Sequence, residues 1–175
     1  MSAISQVPET LNFLSPLNYK FKILNLPSVN FFTQRINIPG VSIPPANFPN
    51  PFSTIPYSGD IVTFEELSVT FKVDEKMQNW KEIYTWLMKL GFPEDWDQYA
   101  SLENEPLWTG TGLKSDISVL ILDSSHNPFL ECIIKDAFPI SLSEFQMGST
   151  DNDVNYITCS SVFKYTNYTI KADSL

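Results

Sequence analysis

A single histidine, two cysteines and several groups of carboxylates are the side chains of this chain that could perform chemistry. His126 stands in the run SSHN, which is typical of a hairpin turn, whereas a nucleophilic triad needs the histidine beside its nucleophile. The chain contains no GxSxG motif, no P-loop and no glycine-rich dinucleotide motif, and it has only 6 glycines. We therefore interpret His126 as a turn residue and predict no catalytic residue.

The possible metal ligands are too few and too scattered for a site. Cys132 and Cys159 lie within apolar or alternating runs, which favours buried, reduced thiols, and zinc would need further clustered ligands. The run STDNDVN resembles half a calcium loop, but it lacks the following glycine and the closing glutamate. Its oxygen ligands would come from Asp151, Asn152, Asp153 and Asn155. We predict a solvated turn there, and neither a metal nor a cofactor.

An acidic, aromatic segment covers residues 92–114. Two of its carboxylates could in principle form an acid–base pair, but such a pair needs a fixed separation that spacing does not show, so we favour a solvated loop. Its aromatic rings could stack on a sugar or a base, or they could seal the loop or dock against a neighbour, which we prefer. The carboxylates are Glu94, Asp95, Asp97, Glu103 and Glu105, and the aromatics are Trp96, Tyr99 and Trp108.

Composition indicates one folded domain in a chain of 175 residues with a net charge of −9. We predict a flexible N-terminal arm over residues 1–17 and a single β domain over residues 18–175. The acidic balance argues against gripping a nucleic-acid backbone, because that function needs clustered Lys and Arg. No signal-peptide pattern and no apolar run of membrane-spanning length occurs, so we expect folding in a reducing cytoplasm and no membrane partner.

Period-two alternation predicts most of the secondary structure. NYKFKIL and Val29–Ile38 are predicted as two strands that close a hairpin, and VTFEELSVTFKV as a strand with a bulge near Glu65 and Glu66. Apolar residues at three- and four-residue steps predict an amphipathic helix that ends at Gly91. Further strands follow in DISVLILD, PFLECIIKDA and FPISLSEF, with an unusually long one at VNYITCSSVFKYTNYTI. The fold class is mainly β: an antiparallel β-sandwich or curled barrel of about seven strands with one flanking α-helix.

The segment from Ile36 to Asp60 is apolar although it holds six of the 13 prolines. Proline fixes φ and removes a hydrogen-bond donor, so this segment should be extended or turned, and an ordered arm loses little freedom on docking. Composition leaves two readings open: an arm that reaches another subunit, or a loop folded over its own sheet. The candidate subunit or ring contacts are Pro39, Gly40, Phe48, Phe52, Ile55 and Tyr57.

The order of these elements resembles the tail tube proteins of contractile-tailed bacteriophages, including tube initiators and terminators. The resemblance covers roughly residues 18–170 and is one of pattern: a strand ending in a proline–glycine turn, an extended loop, a strand, and a helix with tryptophan. The matching positions are Ile38-Pro39-Gly40, Phe64 to Phe71, Asp74-Glu75, Trp80 and Trp86. The N-terminal arm and residues 92–114 depart from the family pattern.

The resemblance implies a structural virion protein without enzymatic activity, which assembles in the host cytoplasm. It implies homo-hexameric rings whose sheets join into an inner barrel, stacked into a tube for DNA ejection, with DNA passing through the lumen without specific binding. The proline segment and the N-terminal arm would carry the contacts between subunits and rings. Sheath, baseplate and neck proteins would be partners. A low-copy initiator or terminator is the alternative, and a carbohydrate- or protein-binding β-sandwich using Trp96, Tyr99 and Trp108 is a more distant one.

Overall fold

The described part of the chain, in a computed structural model, consists of residues 13–23, 26–91, 114–148 and 156–172 and contains eleven strands and two helices. The strands are β1 (Tyr19–Ile23), β2 (Thr33–Ile36), β3 (Val41–Ser42), β4 (Ala46–Pro49), β5 (Thr54–Tyr57), β6 (Thr63–Phe64), β7 (Leu67–Lys72), β8 (Ser115–Leu122), β9 (Pro128–Leu142), β10 (Thr158–Lys164) and β11 (Asn167–Ala172). The helices are α1 (Pro27–Phe32) and α2 (Gln78–Gly91).

One antiparallel sheet of seven strands organises the chain, in the order β1-β8-β9-β10-β7-β2, with β11 also paired to β9. β9 is 15 residues long, so it pairs with β10 near one end and lies between β8 and β11 near the other. The register continues across the break, because Lys164 is opposite Phe138 and Asn167 is opposite Lys135. β10 and β11 therefore follow β9 as one interrupted strand, close to the long final strand that alternation predicts.

The core lies on the inner face of this curled sheet. Along β7, Leu67, Val69 and Phe71 are fully buried and alternate with partly exposed residues, as the period-two pattern predicts. Helix α2 buries Ile83 and Trp86 against this face. Burying an isoleucine of this kind contributes about 1.5–3 kcal/mol to folding, so α2 is held mainly by its apolar side.

A buried asparagine joins the end of β7 to the start of α2. Asn79 is 0% exposed, and its Nδ2 donates to the backbone carbonyl of Lys72 at 2.6 Å while its Oδ1 accepts from the backbone N–H of Asp74 at 3.3 Å. Both polar ends of the side chain are thus satisfied away from water. The amide fixes the direction in which the chain leaves the sheet and enters the helix.

The predicted hairpin of two N-terminal strands is wrong. Val29 to Phe32, expected as strand, lies in α1, and β2 covers only Thr33–Ile36. Pro27 at the first helical position favours a helix start, and Val29 is completely buried. β1 pairs with β8 and β2 pairs with β7, so tertiary packing overrides the β-propensity of these aromatic and β-branched residues.

The predicted fold class is confirmed: the chain is mainly β and antiparallel, with α2 as the flanking helix, and its sheet is curled but does not close. The strand predicted with a bulge near Glu65 and Glu66 is instead divided in two, because β6 ends at Phe64 and pairs with β3, whereas β7 begins at Leu67 and pairs with β10 and β2. Within the described residues, no helix has the length and apolar character needed to cross a bilayer.

Candidate subunit interface

The side chains considered for chemistry are not assembled into a site in the described residues. His126 occupies the β8–β9 turn with φ 63°, and its N–H donates to the carbonyl of Asp123 at 2.8 Å. Cys132 and Cys159 are buried free thiols, and burial raises the pKa of each. Within the described ranges, His, Cys, Asp and Glu side chains form no group capable of holding a metal ion. Trp96, Tyr99, Trp108, the acidic segment and the Asp151–Asn155 turn lie outside the described residues.

The proline segment forms a projecting β-ribbon, which we call the hairpin (residues 41–64). β3 pairs with β6 at its base, and β4 pairs with β5 towards its tip. Sequence predicted an extended or turned segment but not this pairing. Pro49 and Pro56 are tolerated because each strand of a two-stranded ribbon keeps one edge without hydrogen bonds. The segment does not fold over its own sheet, because residues 41–58 are all exposed.

The hairpin carries a continuous set of exposed apolar side chains. Phe52 is 96% exposed and Phe48 is 65% exposed, and Ile55 and Tyr57 are exposed as well, while Gly40 is exposed just before the hairpin. Residues 41–59 contain no charged side chain, although the chain has 31 charged residues in all. A large uncharged apolar surface of this type is characteristic of a contact with another protein.

Pro39 differs from the other predicted contact residues because it is buried within the subunit. Its carbonyl accepts a hydrogen bond from the Tyr168 hydroxyl at 3.1 Å. The Tyr165 hydroxyl donates to the carbonyl of Glu65 at 2.8 Å, on the returning side of the hairpin. The Phe64 ring lies 6.0 Å from the Tyr165 ring and 5.5 Å from the Tyr168 ring. These contacts attach the base of the hairpin to the break between β10 and β11.

Burial of the Tyr165 hydroxyl makes the stability of this anchor depend on pH in the alkaline range. Desolvation, with smaller contributions from Tyr168, Cys132 and Glu65, raises the pKa of Tyr165 to about 12. The neutral phenol is the form that donates to the Glu65 carbonyl, so the native contact favours the protonated side chain.

Two glycines allow close approaches in and beside the hairpin. A Cβ on Gly59 would lie 2.2 Å from the backbone oxygen of Pro44, on the opposite side of the ribbon. A Cβ on Gly40 would lie 2.8 Å from the carboxylate oxygen of Glu65, whose backbone N–H donates to the Gly40 carbonyl at 3.0 Å. Gly59 is the stricter case, because a backbone atom cannot move aside as a flexible carboxylate can.

The sheet also presents two backbone edges that have no strand partner within the described chain. β11 pairs only with β9, and β1 pairs only with β8. At the end of β1, Asn30 accepts from the N–H of Ile23 at 2.7 Å and donates to its carbonyl at 2.9 Å. Because antiparallel pairing alternates, the backbone groups of Tyr19 and Phe21 point to this same outer side. That side opens into a cleft of about 660 Å³ between β1 and β2.

Sequence reasoning found the hairpin but missed its anchor and the open edges. The aromatic anchor is not visible in the pattern because Phe64 lies about a hundred residues from Tyr165 and Tyr168. The edges were hidden because β1 was assigned to β2 and not to β8. The alternation of Lys20 and Lys22 with apolar residues did indicate a strand with one exposed face.

No family model matches the chain. It is 26% identical over 172 residues to the tail tube terminator protein of Enterobacteria phage T4, covering 94% of this chain and 93% of that protein. The recognised similarity to contractile tail tube proteins is confirmed. The fold agrees, since the tube-terminating cap of the anti-feeding prophage matches with a TM-score of 0.60 at 10% identity, covering 98% of this chain and 99% of that one.

A third match is to a chain in an assembled sheath–tube complex. The sheath–tube complex of PVC, an extracellular contractile injection system, contains a chain that matches with a TM-score of 0.58 at 10% identity. It covers 98% of this chain and 99% of that chain. At such low identity these solved structures establish the tail tube fold alone. The terminator relative is a structural component of a tail, and through it the expectation of no enzymatic activity is confirmed.

Proposed function

We propose that this chain is the tube terminator of a contractile phage tail, a structural virion protein that forms a hexameric ring on the end of the tail tube. The observation that carries the proposal is the similarity to a tail tube terminator, which extends over nearly the whole of both chains. The sequence pattern favoured the repeated tube subunit and kept the terminator as its alternative. The curated relative reverses that order.

The open edges support a ring. β1, β8, β9 and β11 form a four-stranded part of the sheet whose two outer edges have unpaired backbone groups. Exposed strand edges are a liability that pairing with another chain removes. We propose that β11 of one subunit pairs along β1 of the next, so that repeated pairing closes an inner barrel through which DNA leaves.

The hairpin supports contacts beyond the subunit. Its exposed, uncharged apolar surface is attached firmly at its base by Tyr165 and Tyr168, so docking would restrict little additional motion. We propose that it contacts the adjacent subunit or the tube ring below, through Gly40, Phe48, Phe52, Ile55 and Tyr57. Sheath, baseplate and neck components remain proposed partners of the assembled tail.

The repeated tube subunit is the second candidate, and the match to a sheath–tube complex favours it. Particle reconstruction by electron cryomicroscopy, with the chain located by its fold, tests both. A single ring of six copies at one end of the tube is the expected result. Copies along the whole tube would replace the terminator with the tube subunit, and a chain outside the tube axis would contradict both assignments.

A further inference from the structure

The outer face of the β1-β8-β9-β11 part of the sheet is basic, in contrast to the chain as a whole. Lys20 and Lys22 on β1, Lys135 on β9 and Lys171 on β11 are exposed and project from the side opposite the core residues Phe21, Ile117, Cys132 and Ile134. They are four of 11 basic residues in a chain with 20 acidic ones. We call this surface the lysine face.

Two carboxylates share the lysine face, and both are engaged by the subunit itself. Glu131, which is opposite Lys171 in the register, accepts a hydrogen bond from the Ser118 hydroxyl at 2.7 Å. Asp116 accepts from the backbone N–H of Asp136 at 3.1 Å. Across the part of the chain that the structure describes, the four lysines have no ion-pair partner, and the salt bridge between Lys164 and Glu66 lies elsewhere.

The geometry points to a phosphate-binding function for this face: we propose that Lys20, Lys22, Lys135 and Lys171 contact the backbone of DNA inside the ring. The inference rests on the proposed function, since pairing β11 with β1 would turn this side of the sheet towards the ring axis. The opposite side is occupied by the core, so only the lysine face can line the bore. Lysine ammonium groups are flexible point charges that bind phosphate without reading bases.

The net charge of −9 argues against a grip on nucleic acid, but the charge on this face has the opposite sign. An acidic bore would let DNA slide by repulsion, whereas a face with four lysines and two hydrogen-bonded carboxylates attracts phosphate. Six copies around one axis would repeat that attraction. The bore of this ring would then retain DNA weakly and without sequence preference, and the acidic residues of the chain would lie mainly on other surfaces.

The test measures duplex DNA binding to the full-length protein by fluorescence anisotropy as salt is varied. Four phosphate contacts, the number that one subunit offers, give a slope of log affinity against log salt of about −3.6, or a loss of about 150-fold between about 50 and 200 mM. Lys20→Gln with Lys171→Gln should reduce the magnitude of the slope by about 2. Lys76→Gln with Lys81→Gln removes the same charge from exposed positions in α2 and in the turn just before it, and should leave the slope unchanged.

Lys135→Gln alone is the second variant, because Lys135 lies on β9 inside the sheet, whereas Lys20, Lys22 and Lys171 lie on the edge strands β1 and β11. It should reduce the magnitude of the slope by about 1 without disturbing assembly. Sedimentation velocity reports ring formation separately. If rings form but bind DNA without salt dependence, or if the Lys76 and Lys81 control lowers the slope equally, the DNA-binding role of the lysine face is wrong. Either outcome leaves the terminator proposal intact. Subunits that bind DNA through these lysines but never form rings would retain the lysine face as a phosphate surface and contradict the ring.

Discussion

Replacing the two most exposed aromatic rings of the hairpin tests the interface directly. Phe52 is 96% exposed and Phe48 is 65% exposed in the subunit, so Phe48→Ser with Phe52→Ser removes apolar surface that is mostly unburied on folding, apart from the edge contact between Phe48 and Tyr57. Substitutions at such positions usually change the free energy of unfolding by about 0.5 kcal/mol or less. The urea midpoint of the double variant, measured on dilute subunits, should therefore match that of the unsubstituted protein.

Assembly should respond very differently. Full burial of a phenylalanine is worth about 1.5–3 kcal/mol, and about two thirds of that applies to Phe48. The double variant should then lose roughly 2.5–5 kcal/mol per contact, which corresponds to about 70- to 5,000-fold in the association constant. Analytical ultracentrifugation over a concentration series measures this shift, and electron microscopy of the same samples shows whether rings or stacks persist.

The control is Met147→Ser, which removes an apolar side chain that is 72% exposed but lies outside the hairpin. It should leave both unfolding and assembly unchanged. If the hairpin variant assembles as well as this control does, the hairpin is not an interface. If it unfolds at markedly lower urea instead, the hairpin stabilises the subunit and its exposure has been misjudged.

Three further perturbations follow from the local geometry. His126→Gly relieves a left-handed conformation in the β8–β9 turn and should stabilise the subunit by about 1 kcal/mol in urea unfolding, a gain that a catalytic or buried role would not give. Gly59→Ala should disturb the hairpin, because its Cβ would meet the Pro44 carbonyl, and so impair assembly. Gly91→Ala has open space around its Cβ and should leave assembly intact. The pKa of Tyr165 is raised from 10.0 to about 12, so this side chain ionises first in the unfolded state and stability should fall as pH rises from 10.0 to about 12. Tyr165→Phe should weaken this pH dependence of the free energy of unfolding, and an unchanged profile would contradict it.

Local periodicity was sufficient to predict the strands and helices that bury one face. Leu67, Val69 and Phe71 alternate as a half-buried strand should, and Ile83 and Trp86 fall on the buried side of α2, so both elements could be predicted from sequence. α1 could not, because its strand-like residues are held in a helical turn by the burial of Val29. That burial depends on strands distant in sequence.

The candidate interface shows the same division. Apolar residues among prolines marked the hairpin as unusual in the sequence. Its exposure in the structure shows that it does not fold over its own sheet. Its pairing could not be read from composition, because two-stranded ribbons tolerate prolines that a central strand would not. Pro39 was grouped with the exposed residues by proximity alone, whereas its backbone binds Tyr168.

The position of β10 in the sheet has a consequence for biosynthesis. This strand lies between β9 and β7, so the centre of the sheet is completed by a segment that leaves the ribosome after both of its neighbours. Pairing of β10 with β7, which lies far earlier in the chain, is slow, and partly made chains lack the strand that unites the two halves. The adjoining β11, whose free edge we assign to ring closure, emerges later still. Nascent subunits would therefore be unable to join one another prematurely, and oligomerisation would be timed by translation itself.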